Sequence, residues 1–369
     1  MTADLNLIWN GRERMEDIIK KQYSDCPPVH KNFTKWIETD LHLHLDGSIS
    51  PELAKEMVCE LGLDLKGRKL ASCLQVKERC GSLAEYLTAF ELAGVLLQTE
   101  KALEMTAYDL ICRLHEQGLV YAEIRFAPQI HRRGGLTQQQ VVEAVLKGIA
   151  RGRRKTGLCA VALLCLMVEG TEWDNEETLD LARAYLGKGV AGMDLAGLEG
   201  SVPMKRFEGI FRKAARAGIP FTIHAGECGD YENIAAVVSF GARRIGHGCA
   251  AAYSSACMEL LKRENITLEM CLLSNVQTGA VKSFEDHPLE RFYRWGIPVT
   301  YNTDNMTVSD TTLEREAALI RRYTALTEGD LRRMNEMALE AGFAPEEERL
   351  PILNRLRQQK IEEENSFLS

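Results

Sequence analysis

Three patterns in this sequence predict an α/β protein of the (β/α)8 TIM-barrel class, with a helical insertion after strand 1 and peripheral helices at both termini. Eight short runs rich in β-branched and aliphatic residues recur along the chain. The stretches between them carry helical spacing, and strand then helix, repeated, implies a parallel sheet with helices outside it. One connection is far longer than the rest, and it follows the first run; such excursions sit over the C-terminal face of a barrel. Residues 1–369 are read as one domain, because no linker, low-complexity segment or solenoid-type repeat interrupts them. Barrels of this class routinely exceed ~250 residues undivided.

The runs are 40–45, 120–127, 158–168, 190–195, 219–225, 243–247, 267–272 and 297–302. Past the first, Ser50-Pro51-Glu52 is a helix start: a Ser cap, Pro at the first helical position, and an acid at the positive end of the dipole. Leu53, Met57 and Leu61 continue one face of that helix. The connection from 45 to 119 is expected to hold three helices, one of them over 82–97. On that one, Leu83, Tyr86 and Phe90 share a face, as core packing or as an apolar lid over a substrate ring. Val141, Val142, Val145 and Ile149 make another helical stripe. The two ends of the chain read as peripheral helices, with the polar stretch 358–365 fraying.

Composition narrows the function. The chain is 45% hydrophobic and 27% charged, with a formal net charge of −8. A phosphate-binding surface normally shows a basic excess, so nucleic acid is not expected as the partner. The N-terminus carries charges of both signs and no apolar run, unlike a signal peptide. No stretch approaches the ~18 uninterrupted apolar residues of a membrane span. The 11 cysteines form no C-x-x-C pair. They read as reduced thiols, and the expected location is cytoplasmic.

The chemistry gathers at strand ends. In Asp40-Leu41-His42-Leu43-His44-Leu45-Asp46-Gly47, residues two apart project to one side, so His42 and His44 can chelate one metal. Phe221-Thr222-Ile223-His224-Ala225-Gly226-Glu227 puts a third histidine at a strand end and a carboxylate in the loop behind it. Arg244-Ile245-Gly246-His247-Gly248 supplies a fourth, flanked by glycines. Val299-Thr300-Tyr301-Asn302-Thr303-Asp304-Asn305 ends the last run with a carboxylate. The other four of the eight histidines, His30, His115, His131 and His287, read as solvated or capping. Three imidazoles and a carboxylate suit Zn2+, which takes N and O ligands and lowers the pKa of bound water towards ~7. The surplus, Glu227 and His247, is what hydrolysis needs: one group to take a proton and one to give it.

In their order along the chain, His42-Leu-His44-Leu-Asp46-Gly47, Thr222-Ile-His224-Ala-Gly-Glu227, Gly246-His247-Gly248 and Asn302-Thr303-Asp304 resemble the four signatures of the adenosine deaminase family. Weaker likenesses lie at Tyr121–Pro128, Met193–Gly197 and Ser274–Ala280. The resemblance implies one Zn2+ per chain, held by His42, His44, His224 and Asp304. It implies hydrolytic attack at C6 of a purine nucleoside. Glu227 would donate a proton to N1, and His247 would take the water's proton or steady the hydroxide, with Asp304 orienting it. It also implies substrate contacts from His44, from Asp46 to a ribose hydroxyl, from the Gly197 N–H to N3, and from Asn305 to N7.

Three positions depart from the family pattern. Asn305 stands where a second Asp is common, and an amide can still donate an N–H to N7. Leu198 replaces an acidic residue after the glycine, and Leu272 replaces a common proline. Two-metal amidohydrolases often need a carboxylated lysine at the end of strand 4, and 190–195 holds none. The expected reaction is deamination of adenosine and 2′-deoxyadenosine to inosine-type products and ammonia. The alternatives are another 6-aminopurine (adenine, AMP, an N6-substituted adenosine or an aminofutalosine type) and a non-catalytic nucleoside binder. AMP would want Arg or Lys at the mouth. Arg132, Arg133 and Lys205 lie in plausible loops but read as solvated. A pure binder has no use for Glu227 and His247.

Overall fold

The structure, a computed structural model, describes residues 38–227 and 230–368. Its eight strands are β1 (Glu38–His44), β2 (Leu119–Phe126), β3 (Cys159–Met167), β4 (Val190–Ala196), β5 (Thr222–Ala225), β6 (Arg244–His247), β7 (Thr267–Met270) and β8 (Val299–Tyr301). Every one falls on one of the eight apolar runs, and every ladder is parallel. β1–β4 and β5–β8 form two four-stranded sheets in sequence order. Bridges Met193–Phe221 and Leu43–Asp304 join them into a closed ring. At the second seam the His44 N–H donates to Asp304 O and the Asp304 N–H to His42 O, both at 2.8 Å. A pair of the residues expected to bind a metal is thereby built into the closure itself.

A register shift between Asp40 and Leu43 interrupts the β1–β2 ladder. Such irregularities re-aim side chains near active sites. Below it, Leu41 packs with Tyr121, Val161 and Leu163 in the bottom of the barrel, against Leu339, Leu353 and Leu356 of the C-terminal helices. Above it, Leu43 and Leu45 join the outer core, while His44 lines the cavity at the barrel mouth and His42 meets it in the buried histidine cluster. The Leu41 backbone groups that leave the ladder are taken by side chains: its N–H donates to Asn302 Oδ1 at 3.0 Å and its carbonyl accepts from Arg125 Nη2 at 2.6 Å.

The helix Pro51–Glu60 starts as its sequence predicts, with Ser50 Oγ accepting from the Leu53 N–H at 3.3 Å. Val141, Val142, Val145 and Ile149 are buried on one face of Gln138–Thr156, which opens on a Thr137/Gln140 capping box. The insertion differs from expectation. It holds five helices, not three: Pro51–Glu60, Ala71–Leu74, Leu83–Leu87, Phe90–Leu96 and Glu100–Glu116. The helix expected over 82–97 breaks at Thr88-Ala89. Tertiary ties override local propensity there: Tyr86 is held by hydrogen bonds to Ser309 and Asn305. At the C-terminus the helix Glu346–Leu368 runs through the stretch expected to fray, and it is not merely peripheral, since Leu353 and Leu356 close the barrel bottom. The expected N-terminal helices lie outside the described residues. No described helix is long and apolar enough to cross a membrane.

Candidate active site

His42, His44, His224 and Asp304 converge at the C-terminal ends of β1, β5 and β8, with their candidate ligand atoms all within 4.8 Å of one another. Asp304 Oδ1 lies 3.4 Å from both His42 Nε2 and His44 Nε2, and the His44 and His224 Nε2 atoms are 3.2 Å apart. A proton shared between the two imidazoles, or a cation among the four groups, would satisfy this crowding. His42 Nε2 is buried with no hydrogen-bond partner, the orphaned atom a metal would satisfy. Gly246 makes the approach possible: a Cβ there would sit 2.8 Å from His42 Cε1. Asp304, at φ 57°, is one of five described non-glycine residues in the left-handed region, and His247, at 65°, is another. That conformation costs on the order of 1–3 kcal/mol and clusters at functional sites.

Two of the three imidazoles are oriented from behind. His42 Nδ1 lies 2.8 Å from Glu269 Oε2, and His224 Nδ1 lies 3.0 Å from Asp194 Oδ2. Carboxylates in these places accept the Nδ1 proton, so Nε2 of each ring is the free, metal-facing nitrogen. Arg125 ties the two together, donating to Asp194 at 2.7 Å and to Glu269 at 2.8 Å. Arg244 lies 2.7 Å from Glu269, pairs with Glu123 at 2.6 Å, and stacks on Phe343. Burial alone would raise Glu269 and Asp194, but the two arginines hold Glu269 well below the usual carboxylate range, and His224 with Arg125 does the same for Asp194. Burial and the neighbouring histidines push His44 and His247 well below an ordinary histidine, so both are neutral, the form that binds a metal. His224 moves the other way; Asp194 outweighs burial and raises it.

Glu227 and His247 flank this cluster, with His247 Nε2 3.7 Å from Glu227 Oε2. Burial first, then the Asp304 charge, pushes Glu227 up to about 8, so near neutrality it carries a proton. Its loop is clamped by Glu199, which accepts from the Gly226 and Glu227 N–H groups at 2.7 and 2.8 Å. Asn275 orients His247. The Asn275 Oδ1 accepts from the Cys271 N–H at 3.4 Å, which turns Nδ2 towards His247 Nδ1 at 2.9 Å. Nδ1 is therefore the acceptor, and neutral His247 presents an N–H from Nε2.

These groups open onto a cavity of about 270 Å3. One wall is apolar, with Leu83, Tyr86, Leu87 and Phe90 from the insertion; the face shared by Leu83, Tyr86 and Phe90 is both packed and cavity-lining. Ala196 and Gly197 at the end of β4 also line the cavity. Asp46, pushed up to about 6 by burial, and Asn305 complete the polar lining. Asn305 Nδ2 is 3.1 Å from the Tyr86 hydroxyl, and its Oδ1 packs where a Cβ on Gly47 would stand. Among the described residues, no Lys or Arg lines this cavity. Arg132 is engaged with Asp174 outside it. Leu198, which lacks the acid expected there, has its N–H bound by Glu169 at 2.6 Å, so a carboxylate reaches this backbone from the loop after β3.

Two histidines expected in solvent or at caps are buried. His131 Nδ1 lies 3.0 Å from Leu97 O, tying the insertion to the loop after β2, and His287 Nε2 lies 3.2 Å from Asn275 Oδ1. Tertiary partners, invisible in local sequence, account for both. His115 does sit in the last turn of Glu100–Glu116, and His30 lies outside the described residues. Sequence reasoning gave no role to Glu269, Glu199, Asn275 or Arg244. For Glu269 and Arg244 the signal was available: a charge inside a short, otherwise apolar strand.

Comparison with known proteins gives a consistent picture. Residues 38–359 match the family model described as Adenosine deaminase. The adenosine deaminase of Haemophilus ducreyi is 40% identical over 328 residues, covering 86% of this chain and 95% of that protein. That of Enterococcus faecalis is 39% identical over 314 residues, covering 84% and 93%. Among solved structures, the N6-methyl-AMP deaminase of Arabidopsis thaliana superposes with a TM-score of 0.75 at 27% identity, over 87% of this chain and 95% of that one. An adenine deaminase from Arthrobacter aurescens shares the fold, with a TM-score of 0.79 at 23% identity over 87% and 98%.

Proposed function

This chain belongs to the adenosine deaminase family, and we propose that it adds water to C6 of adenosine or 2′-deoxyadenosine and releases ammonia, leaving inosine or deoxyinosine. One observation carries the reading: a three-histidine, one-carboxylate cluster opens through His44, His224 and Asp304 onto the same cavity as a protonated, buried Glu227. The absence of a lining cation among the described residues favours a nucleoside over a nucleotide, since a phosphate needs Arg or Lys. The relatives named adenosine deaminase support the same choice.

The cofactor we assign is one Zn2+ per chain, held by His42, His44, His224 and Asp304; neutral imidazoles with one carboxylate are its preferred donors. When bound, the ion supplies Lewis acidity that brings a water near its deprotonation point at neutral pH. The remaining work falls to side chains. Glu227 gives its proton to N1, so the ring nitrogen absorbs the electron pair as C6 turns tetrahedral. His247, with its proton on Nε2, donates to the attacking oxygen and steadies it. Asp304, whose Oδ2 accepts from Ser274 Oγ at 2.5 Å, orients the same oxygen. Of the water's two protons, one goes to the departing amine, which leaves as ammonia, and the other restores Glu227 after it has protonated N1. Gly197 donates to N3. Asn305 gives N7 the second N–H of its amide, the first being engaged with Tyr86. His44 and Asp46 face the ribose. Residues 1–369 form one domain in this reading. Nine free cysteines among the described residues, eight of them buried, support a reducing, cytoplasmic setting.

The test is an ultraviolet assay of the zinc-loaded protein with adenosine, adenine and AMP in parallel. Chelator-sensitive loss of the 6-aminopurine band with adenosine, and little with AMP, is expected. Turnover of AMP in preference to adenosine would overturn the nucleoside assignment, and silence with all three would overturn the catalytic one.

A further inference from the structure

We propose that Glu199 is a positioning residue for the reaction: it fixes where the Glu227 carboxyl stands and acts on turnover through Glu227. The inference rests on Glu227 being the proton donor. Glu199 follows β4 in the loop, is buried, and is not part of the cavity lining, so it does not reach the substrate. Its carboxylate instead takes hydrogen bonds from the segment after β5. The Gly226 N–H and Asn233 Nδ2 donate to Oε1 at 2.7 and 2.8 Å, and the Glu227 N–H donates to Oε2 at 2.8 Å. Successive N–H groups in a turn make a concavity suited to an anion, and a buried carboxylate needs its charge answered in this way.

The clamp sits where the strand has stopped holding the chain. The β5–β6 ladder ends at Ala225 and His247, and Glu227 comes after it. Gly226 turns the backbone there at φ 69°, and a Cβ on it would stand 2.5 Å from Ile234 Cδ1. Its carbonyl accepts from the Ala250 N–H at 2.8 Å, so the turn is held from the β6 side by backbone and from the β4 side by Glu199. The loop that carries Glu199 is braced in turn, since Glu169 accepts from the Leu198 N–H at 2.6 Å. Two carboxylates thus link the loops after β3, β4 and β5, and the last of these bears the acid. At its other end the Glu227 carboxyl is hydrogen-bonded by Thr278 and lies 3.7 Å from His247. A shift of about 1 Å in a reacting group costs on the order of 10²-fold in rate.

The experiment is a double-mutant cycle on the zinc-loaded protein with adenosine: wild type, Glu199→Gln, Glu227→Gln and the double variant, with metal content measured on the same samples. Gln keeps one acceptor oxygen but sets an NH2 group against one of the two N–H donors. Glu199→Gln should lower kcat about 10- to 100-fold, with KM within about threefold and zinc unchanged. In the Glu227→Gln background the same substitution should cost no more than about threefold further, because groups that act as a unit are not additive. Additive losses, a loss carried by KM, or a loss of zinc would overturn the inference while leaving Glu227 as the acid. A near-wild-type kcat in Glu227→Gln, or a wild type inert towards adenosine, would overturn the catalytic reading and this inference with it. Asn233→Ala is the milder variant should Glu199→Gln fail to fold. It removes one donor to Glu199 and should lower kcat a few fold, again only while Glu227 is present; an equal loss in the Glu227→Gln background would overturn the inference.

Discussion

The two ends of the cavity are built on different terms. At the metal end, every candidate ligand is buried or nearly so, and three of the four are held by a second polar group: Glu269 behind His42, Asp194 behind His224, Ser274 behind Asp304. Buried Arg125 joins Asp194 to Glu269, and buried Arg244 joins Glu269 to Glu123. At the insertion end, Leu83, Leu87 and Phe90 rest on apolar contacts, and the Tyr86 hydroxyl is the polar tie between that wall and Asn305. The contrast separates two jobs. The strand ends fix the reacting groups within a network that tolerates no loose charge, whereas the insertion shapes the pocket through contacts that can change without disturbing the metal.

The largest expected effect is at the first of these ends. Glu269→Gln should leave Arg125 and Arg244 short of a buried counter-charge, costing about 3–5 kcal/mol. It also removes the acceptor that orients His42, which should lower metal affinity about 10- to 100-fold. Denaturant unfolding and a zinc titration would show both; unchanged values would mean that the network is not what holds His42. Gly246→Ala comes next. Its methyl would press on His42, an overpacking cost of about 1–3 kcal/mol with reduced metal occupancy. Asn305→Ala should raise KM about 10-fold while zinc stays at full occupancy, the cost of one substrate hydrogen bond. If it strips the metal, the two ends are not separable. Tyr86→Phe is the mildest: a rise in KM of a few fold, about 0.5–1 kcal/mol, with the metal untouched.

The same division explains what the sequence made legible. All eight strands lie on apolar runs, because a strand buried on both faces announces itself by β-branched continuity. His42, His44, His224, His247 and Asp304 stand out because a polar residue at the end of such a run has few structural uses. The supports were harder. Asp194 and Arg125 surfaced only as parts of weak motifs, and Asn275 acts through atoms supplied by residues near and far. His131 and His287 look like surface histidines until their partners, Leu97 and Asn275, are placed in space. The break at Thr88-Ala89 contains neither Gly nor Pro; it follows from ties between Tyr86 and the loop after β8, which no local pattern encodes.

The central claim is that a protonated Glu227 performs the proton transfer at a metal site it does not help to hold. Its carboxyl is raised to about 8, and an acid works only while protonated. Activity should therefore be present at lower pH and fall as pH rises through that limb; a bound cation shifts the limb downward without abolishing it. The most direct measurement is kcat against pH for wild type and Glu227→Gln, with the metal content of each determined on the same samples. The account predicts one zinc per chain in both, a loss of about 10²–10⁴-fold in kcat for Gln, and disappearance of the alkaline limb. A near-wild-type kcat that keeps its alkaline limb would remove Glu227 from the mechanism.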